Sequence, residues 1–501
     1  MTPNESLGMT PNENRLYGVL TMQMLKHDWS DTHWRWFLAF CAGATVLFYM
    51  VCPVAPLRWA DLYASYGKIL IISFAAIYFF RARFDGVTEV KLVIYYTIWL
   101  FLTRLFNTDL YLQNELDLVI SRILCCVILP VGLLLEEKER RVMLDVVIAV
   151  SGAFYFVTAL MGLYACIFGV YFYVPPEGVV FGLDNAAYGN SYVRIVAWET
   201  TRNISAVWFY LAGCMMVYEF FKCENKLWRI PICIALFVFH LAVAFTMTRS
   251  VMLAASINAA MLAILLGMRY IRTEKKALRI ALIAVLAAAA LLVCWKSYDW
   301  LRTGTAKVYD AMDVQIERTS DQFMTPESLG EDGANFSDSR DLKESVSSGS
   351  MRFHVWAAAI PAIRDEPLRL LIGKLSHKVM DGPHRYQISA ENGSFWHMHN
   401  YLLQVLMLTG LIGFLLVLAF SVLVVIRMIR LFFSAHPGAT IAVKTLTLPV
   451  SGIFVYGMLE TVIFTASADD RALTDFRELF FFLVTGVMLA YSYAFEPPKK
   501  R

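Results

Sequence analysis

The fold is decided by a stretch in the middle of the chain, residues 246–295, which reads TMTRSVMLAASINAAMLAILLGMRYIRTEKKALRIALIAVLAAAALLVCW. It contains two apolar runs, 250–268 and 277–295, separated by a short basic segment. A helix needs about 20 mostly apolar residues to cross roughly 30 Å of hydrocarbon. The stretch therefore predicts two membrane-spanning helices joined by a basic turn.

The rest of the chain has the same character. Of its 501 residues, 58% are apolar and 17% are charged, whereas soluble domains are roughly 45–50% apolar and about 25% charged. This composition excludes a water-soluble protein and predicts an all-α polytopic membrane protein. Twelve spans satisfy the length criterion: 34–54, 62–80, 89–106, 117–135, 142–173, 204–221, 230–247, 250–268, 277–295, 400–426, 445–464 and 477–495.

The orientation follows from the loops, because Lys and Arg near span ends are retained on the cytoplasmic side. Every second connection is basic, and both termini are therefore predicted to be cytoplasmic. The resulting regions are a cytoplasmic tail (1–33), spans one to nine (34–295), an extracytoplasmic loop (296–399), spans ten to twelve (400–495) and a second cytoplasmic tail (496–501).

Several cations fall on the opposite, extracytoplasmic side. Those in the outer third of a span or at its outer end are Lys68, Arg104, Arg122 and Arg249; Arg194 and Arg202 lie in the adjoining outer loop. Cations at such depth are costly and normally face a polar cavity or a partner. They predict a site for an anion such as phosphate. The alternative is that they reach the interface or pair with Glu460, Asp117 or Asp469.

The long outer loop supplies a possible base. It holds five of the nine histidines, including His397 and His399 directly before a span. A hydrated His at the mouth of a span can titrate near neutrality, as a general base requires. His399 is the first candidate, and an interfacial cap at a helix start is the alternative. A zinc site is less favoured, because this pair supplies two ligands and no clear third.

Other chemistries lack their motifs. The chain has no Walker loop, no Rossmann fingerprint after a strand and no DxD cluster for a metal–nucleotide-sugar complex. The net charge of +3 gives no reason to expect nucleic acid. A reaction outside the cytoplasm without ATP would require an already activated, membrane-borne donor.

Four segments resemble those of a known family. They are RIVAWETTRNISA from Arg194, TMTRSVMLA from Thr246, MRFHVWAAAI from Met351 and HMHNYLLQVLMLTGLIG from His397. In this order the segments resemble the superfamily of O-antigen ligases and O-antigen polymerases, over about residues 192–413. The chain departs from the family pattern in two places: no Pro precedes Asn203, and IGKLS replaces a Gly-x-Gly.

The resemblance implies a GT-C-like glycosyltransferase of the bacterial inner membrane, acting on its extracytoplasmic face. It implies an undecaprenyl diphosphate-linked glycan as donor, and lipid A core or a carrier-linked glycan as acceptor. Arg194 and Arg249 would engage the diphosphate, and His399 would activate the acceptor hydroxyl without a metal or cofactor. The further substrate contacts that we expect are Arg202, Arg352, His397, Lys68, Arg104 and Arg122.

Three alternatives stay open at this point. A flippase or transporter of lipid-linked oligosaccharide also fits twelve spans, although transporters tend to show two similar halves and midplane charges. A protein O-oligosaccharyltransferase would use a Ser or Thr hydroxyl as acceptor. Within the glycan-joining reading, the sequence does not separate a ligase from a polymerase.

Overall fold

The computed structural model describes residues 32–51, 87–106, 112–168, 171–174, 178–183, 195–197, 202–246, 248–312, 367–373, 400–460, 463–464 and 476–496. Helices dominate this part of the chain. They are α1 (Thr32–Val51), α2 (Thr88–Phe106), α3 (Leu112–Leu134), α4 (Glu137–Phe168), α5 (Arg202–Lys222), α6 (Lys226–Thr246), α7 (Arg249–Tyr270), α8 (Lys276–Met312), α9 (Pro367–Ile372), α10 (Tyr401–Phe432), α11 (Ile441–Thr445), α12 (Thr447–Gly457) and α13 (Phe476–Ala494).

Eleven of the twelve predicted spans fall on these helices, and the remaining one, 62–80, lies outside the described residues. Within the described part, five helices are long and apolar enough to cross a membrane: Glu137–Ala165, Lys226–Thr246, Arg249–Tyr270, Lys276–Leu301 and Tyr401–Phe432. The protein is therefore a multi-pass helical membrane protein. The full count of twelve crossings stays a prediction.

A small antiparallel sheet, which the sequence did not predict, accompanies the helices. Its strands are β1 (Tyr171–Val174), β2 (Gly178–Leu183) and β3 (Ile195–Ala197), in the order β1-β2-β3. The strands are rich in aromatic and β-branched residues, which favour extended backbone. The sheet packs on α4, and β3 also contacts α5 and α6. The fifth predicted span, 142–173, is displaced along the chain, since α4 runs from Glu137 to Phe168 and β1 begins at Tyr171.

Ion pairs connect helix ends at one end of the bundle, which we call the basic end. Arg427 near the end of α10 contacts Glu89 at the start of α2, with 3.1 Å between Nε and Oε1. Arg35 of α1 contacts Glu136 before α4, with 2.9 Å between Nη2 and Oε1. Helices α2 and α10 thus run in opposite directions, whereas α1 and α4 both begin at this end. These ends belong to the side that the loop charges predict to be cytoplasmic.

Helix α10 is broken at its tenth residue, Gly410. Gly410 has φ 69° and ψ −169°, which is not a helical conformation. The indole Nε1 of Trp99 donates a hydrogen bond of 2.8 Å to the carbonyl oxygen of Thr409, beside the break. The short helix α9 packs against the same place, and its following residue, Gly373, also has a positive φ of 77°. A segment of the long loop is thereby anchored deep along α10.

Candidate active site

Two of the motif segments meet through Asn203, the second residue of α5. The Thr248 hydroxyl, directly before α7, donates to Asn203 Oδ1 at 3.4 Å. The Asn203 amide donates in turn to Glu460 Oε1 at 3.4 Å, and the Tyr456 hydroxyl donates to the Asn203 carbonyl at 3.3 Å. The starts of α5 and α7 therefore lie together against the turn that follows α12.

A third motif segment reaches the same turn through Asn400. Its side-chain oxygen accepts a 3.1 Å hydrogen bond from the Leu403 amide, which makes Asn400 the N-cap of α10. Its amide nitrogen donates to the Met458 carbonyl at 3.1 Å. Asn400 is 5% exposed and directly follows the predicted base, His399. Asn203, Thr248 and Asn400 thus converge on residues 456–460, and we call this group the motif cluster.

The motif cluster collects helix N-termini at one end of the bundle. Helices α5, α7 and α10 all begin there. Each N-terminus carries roughly half a positive charge on its unsatisfied N–H groups, and such ends attract anions. At the start of α7 the Thr248 side chain makes no cap hydrogen bond, and the first residue, Arg249, has an exposed side chain. The helix N-termini and the guanidinium of Arg249 therefore bring positive charge to this end of the bundle.

One acidic side chain lies inside the motif cluster. Glu460 is 7% exposed and accepts from Asn203. The sequence suggests Glu460 only as an ion partner for a membrane cation. No motif singled it out, because its place beside Asn203 depends on how α12 packs near α5. The described residues contain no group of three or more His, Cys, Asp or Glu side chains that could hold a metal ion.

From its charge and depth, Arg122 was expected to line an anion site. Its guanidinium is instead paired with a carboxylate. It is 3% exposed and paired with Glu478 of α13, through both carboxylate oxygens. The Arg122 guanidinium could bind a phosphate only after breaking its hydrogen bonds to the Glu478 carboxylate. We therefore leave Arg122 out of the proposed anion site. Its partner, Glu478, was not among the carboxylates considered from the sequence.

The other predicted site residues are placed as follows. Arg104 and Arg202 lie on the described helices α2 and α5, but their side chains are outside the description. The remaining ones lie outside the described residues: Lys68, Arg194, Arg352, His397 and His399. Their roles stay predictions.

Fold and site together define a class: a multi-pass helical membrane protein with a cluster of motif residues and helix N-termini at one end of its bundle. Residues 233–418 match the family model described as O-antigen ligase, a segment that includes Thr248, Arg249 and Asn400. The match confirms the resemblance to the O-antigen ligase and polymerase superfamily. It supports a glycosyltransferase-type role in O-antigen assembly, with lipid-linked glycans as substrates. No curated protein matches the chain significantly.

Proposed function

We propose that this protein is a membrane glycosyltransferase that moves glycan from an undecaprenyl diphosphate-linked donor to an acceptor hydroxyl on the extracytoplasmic face. The observation that carries the proposal is the motif cluster, in which Asn203, Thr248 and Asn400 meet although about 200 residues of sequence separate the first from the last. Thr248 directly precedes Arg249 and Asn400 directly follows His399, and the resemblance gives both of these neighbours a role. Asn203 is hydrogen-bonded to Thr248.

Arg249 is the proposed diphosphate ligand for two physical reasons. Its guanidinium presents a planar fork of N–H donors that matches phosphate oxygens in pairs. It also projects from a helix N-terminus, whose backbone dipole favours the same negative charge. As the bond from the anomeric carbon to the diphosphate breaks, charge grows on the leaving oxygen. Fixed positive groups stabilise that charge in the transition state. Arg194 is proposed to act with Arg249.

His399 is the proposed general base. Asn400 caps α10 and is hydrogen-bonded to Met458, so the backbone that follows His399 is held against the same turn as Asn203. A neutral imidazole at this point would take the proton from the attacking hydroxyl as it forms the new bond to the anomeric carbon. The diphosphate leaves with the electron pair of the broken bond. A single displacement of this kind predicts an inverted anomeric configuration in the product.

The first experiment uses purified full-length protein with the carrier-linked oligosaccharide alone, and then with lipid A core added. Chain growth on the carrier indicates a polymerase, and a product formed only after addition of lipid A core indicates a ligase. Transfer to neither acceptor, with movement of intact donor across proteoliposomes, would refute the enzyme and favour a flippase. Transfer only to a Ser or Thr of a protein would favour an O-oligosaccharyltransferase.

A matched pair of variants tests the role of Arg249. Arg249→Lys keeps the charge and loses the planar fork, and we expect the rate of transfer to fall by about 10–100-fold, since one lost donor to a developing anion costs roughly that much or more. Arg269→Lys makes the same change at the other end of the same helix, where the side chain is also exposed. We expect it to leave transfer unchanged. Equal activity of the two variants would remove Arg249 from the mechanism.

A further inference from the structure

Arg122 and Glu478 form a pair of charges inside the bundle. Their side chains are 3% and 1% exposed, on α3 and α13. Taking two charges out of water is costly, and replacing a buried pair by apolar residues is often neutral or stabilising. Stability alone therefore gives little reason for charges at these positions, and a second role should be sought in what else the pair contacts.

The carboxylate of Glu478 has such a contact. Its Oε1 accepts a hydrogen bond of 2.6 Å from the backbone N–H of Phe464. Phe464 has φ 55°, in the left-handed region that a bulky residue rarely occupies because the conformation is strained. Its buried ring stacks edge-on against Tyr96 and Phe420, at centroid distances of 5.1 and 5.6 Å. The backbone of Phe464 is thus held in a strained conformation from both sides.

Phe464 lies shortly after the turn of the motif cluster. Four positions before it, Glu460 accepts from Asn203, and six positions before it, the Met458 carbonyl accepts from Asn400. The covalent chain connects these positions through residues 461 and 462, which lie outside the described part. The ion pair is therefore linked to the motif cluster by a short length of chain.

We propose that Arg122 and Glu478 are positioning residues for the transfer reaction. Arg122 orients the carboxylate, Glu478 fixes the Phe464 amide, and the fixed Phe464 limits the movement of residues 458–460. Asn203 and Asn400 thereby keep their hydrogen bonds to Glu460 and Met458. Neither residue contacts the substrate. This inference rests on the proposed function.

Two double variants separate positioning from stability. Arg122→Met with Glu478→Met removes both charges together, leaves no lone buried charge, and removes the acceptor for the Phe464 amide. Arg122→Gln with Glu478→Gln also removes both charges, but the amide oxygen at position 478 can still accept that hydrogen bond. Both are measured in the purified full-length protein, by transfer kinetics and by hydrogen exchange of the segment that contains Phe464.

For the methionine variant we expect kcat to fall by about 10–100-fold, as a displacement of about 1 Å can cause, with donor KM within about twofold. The Phe464 amide should exchange at least about tenfold faster, since its hydrogen bond is lost. The glutamine variant should retain kcat within about threefold and keep the amide protected. Equal kcat in the methionine variant and the wild type would overturn the proposal. A rise in donor KM in the glutamine variant would also overturn it, because Arg122 would then act as an anion ligand.

Glu478→Asp provides a further test if the methionine variant does not fold. It keeps the charge opposite Arg122 but withdraws the carboxylate by one methylene from the Phe464 amide. We expect the same loss of kcat and of amide protection, and full activity with an unprotected amide would refute positioning. Hydrogen exchange does not depend on catalysis. Absence of transfer by the wild type would therefore count against the proposed function, whereas an unprotected Phe464 amide in the wild type would count against this inference alone.

Discussion

Replacing Gly410 by alanine is expected to separate α9 from α10. A Cβ atom at this position would lie 2.2 Å from the carbonyl oxygen of Leu371 and 2.6 Å from the amide nitrogen of Gly373. Both are backbone atoms and cannot rotate away, so α9 would have to move by about 1 Å or more to reach an ordinary contact. The conformation with φ 69° and ψ −169° is essentially restricted to glycine, and holding another residue there costs of order 1–3 kcal/mol.

The matched control is Gly213→Ala. Gly213 lies within α5, and its added Cβ would meet the Cβ of Phe239 at 3.8 Å, which is an ordinary contact. Alanine is favoured over glycine inside a helix by roughly 0.5–1 kcal/mol, so this variant should be slightly stabilised. Stability is measured by unfolding both purified variants in the same detergent. A Gly410→Ala protein as stable as the Gly213→Ala protein would refute the docking of α9 at the break.

Gly132→Ala should destabilise the bundle by several kcal/mol or prevent its folding, because the added Cβ would lie 2.3 Å from the backbone of Gly486 on α13; normal unfolding would show that α3 and α13 are further apart. Asn258→Leu should lower the free energy of unfolding by about 1–3 kcal/mol, since a buried amide that bonds to α5 and α12 is lost and leaves its partners unsatisfied; an unchanged free energy would contradict this. Transfer should rise with pH, because a general base must lose its own proton before it can accept one; a profile that falls as the pH is raised from acid to neutral in the wild type would exclude the neutral base.

Much of the helical architecture could be predicted from the sequence because a membrane allows few alternatives. Backbone polar groups in hydrocarbon must be bonded internally, so an apolar run of sufficient length forms a helix. The sheet at residues 171–197 could not be predicted in this way, since three short strands between spans carry little periodic signal. The partner of Arg122 was missed for a different reason. Glu478 is 356 residues away in sequence, and hydropathy does not report which helices pack together.

Counting the spans is enough to predict that the residues of the motif cluster lie at the same end of the bundle. Asn203, Thr248 and Asn400 stand at the starts of the predicted sixth, eighth and tenth spans, which run in the same direction if the spans alternate. An even number of spans separates any two of these starts, so they share one end of the bundle whatever the charge of the loops. An error in the count before residue 204 would reverse the side of the membrane and leave the cluster intact. A working active site therefore has two independent requirements. The motif segments must meet at one end of the bundle, and that end must face the extracytoplasmic side, where the donor is. The hydrogen bonds through Asn203 and Asn400 bear on the first, and the basic residues at the opposite end bear on the second.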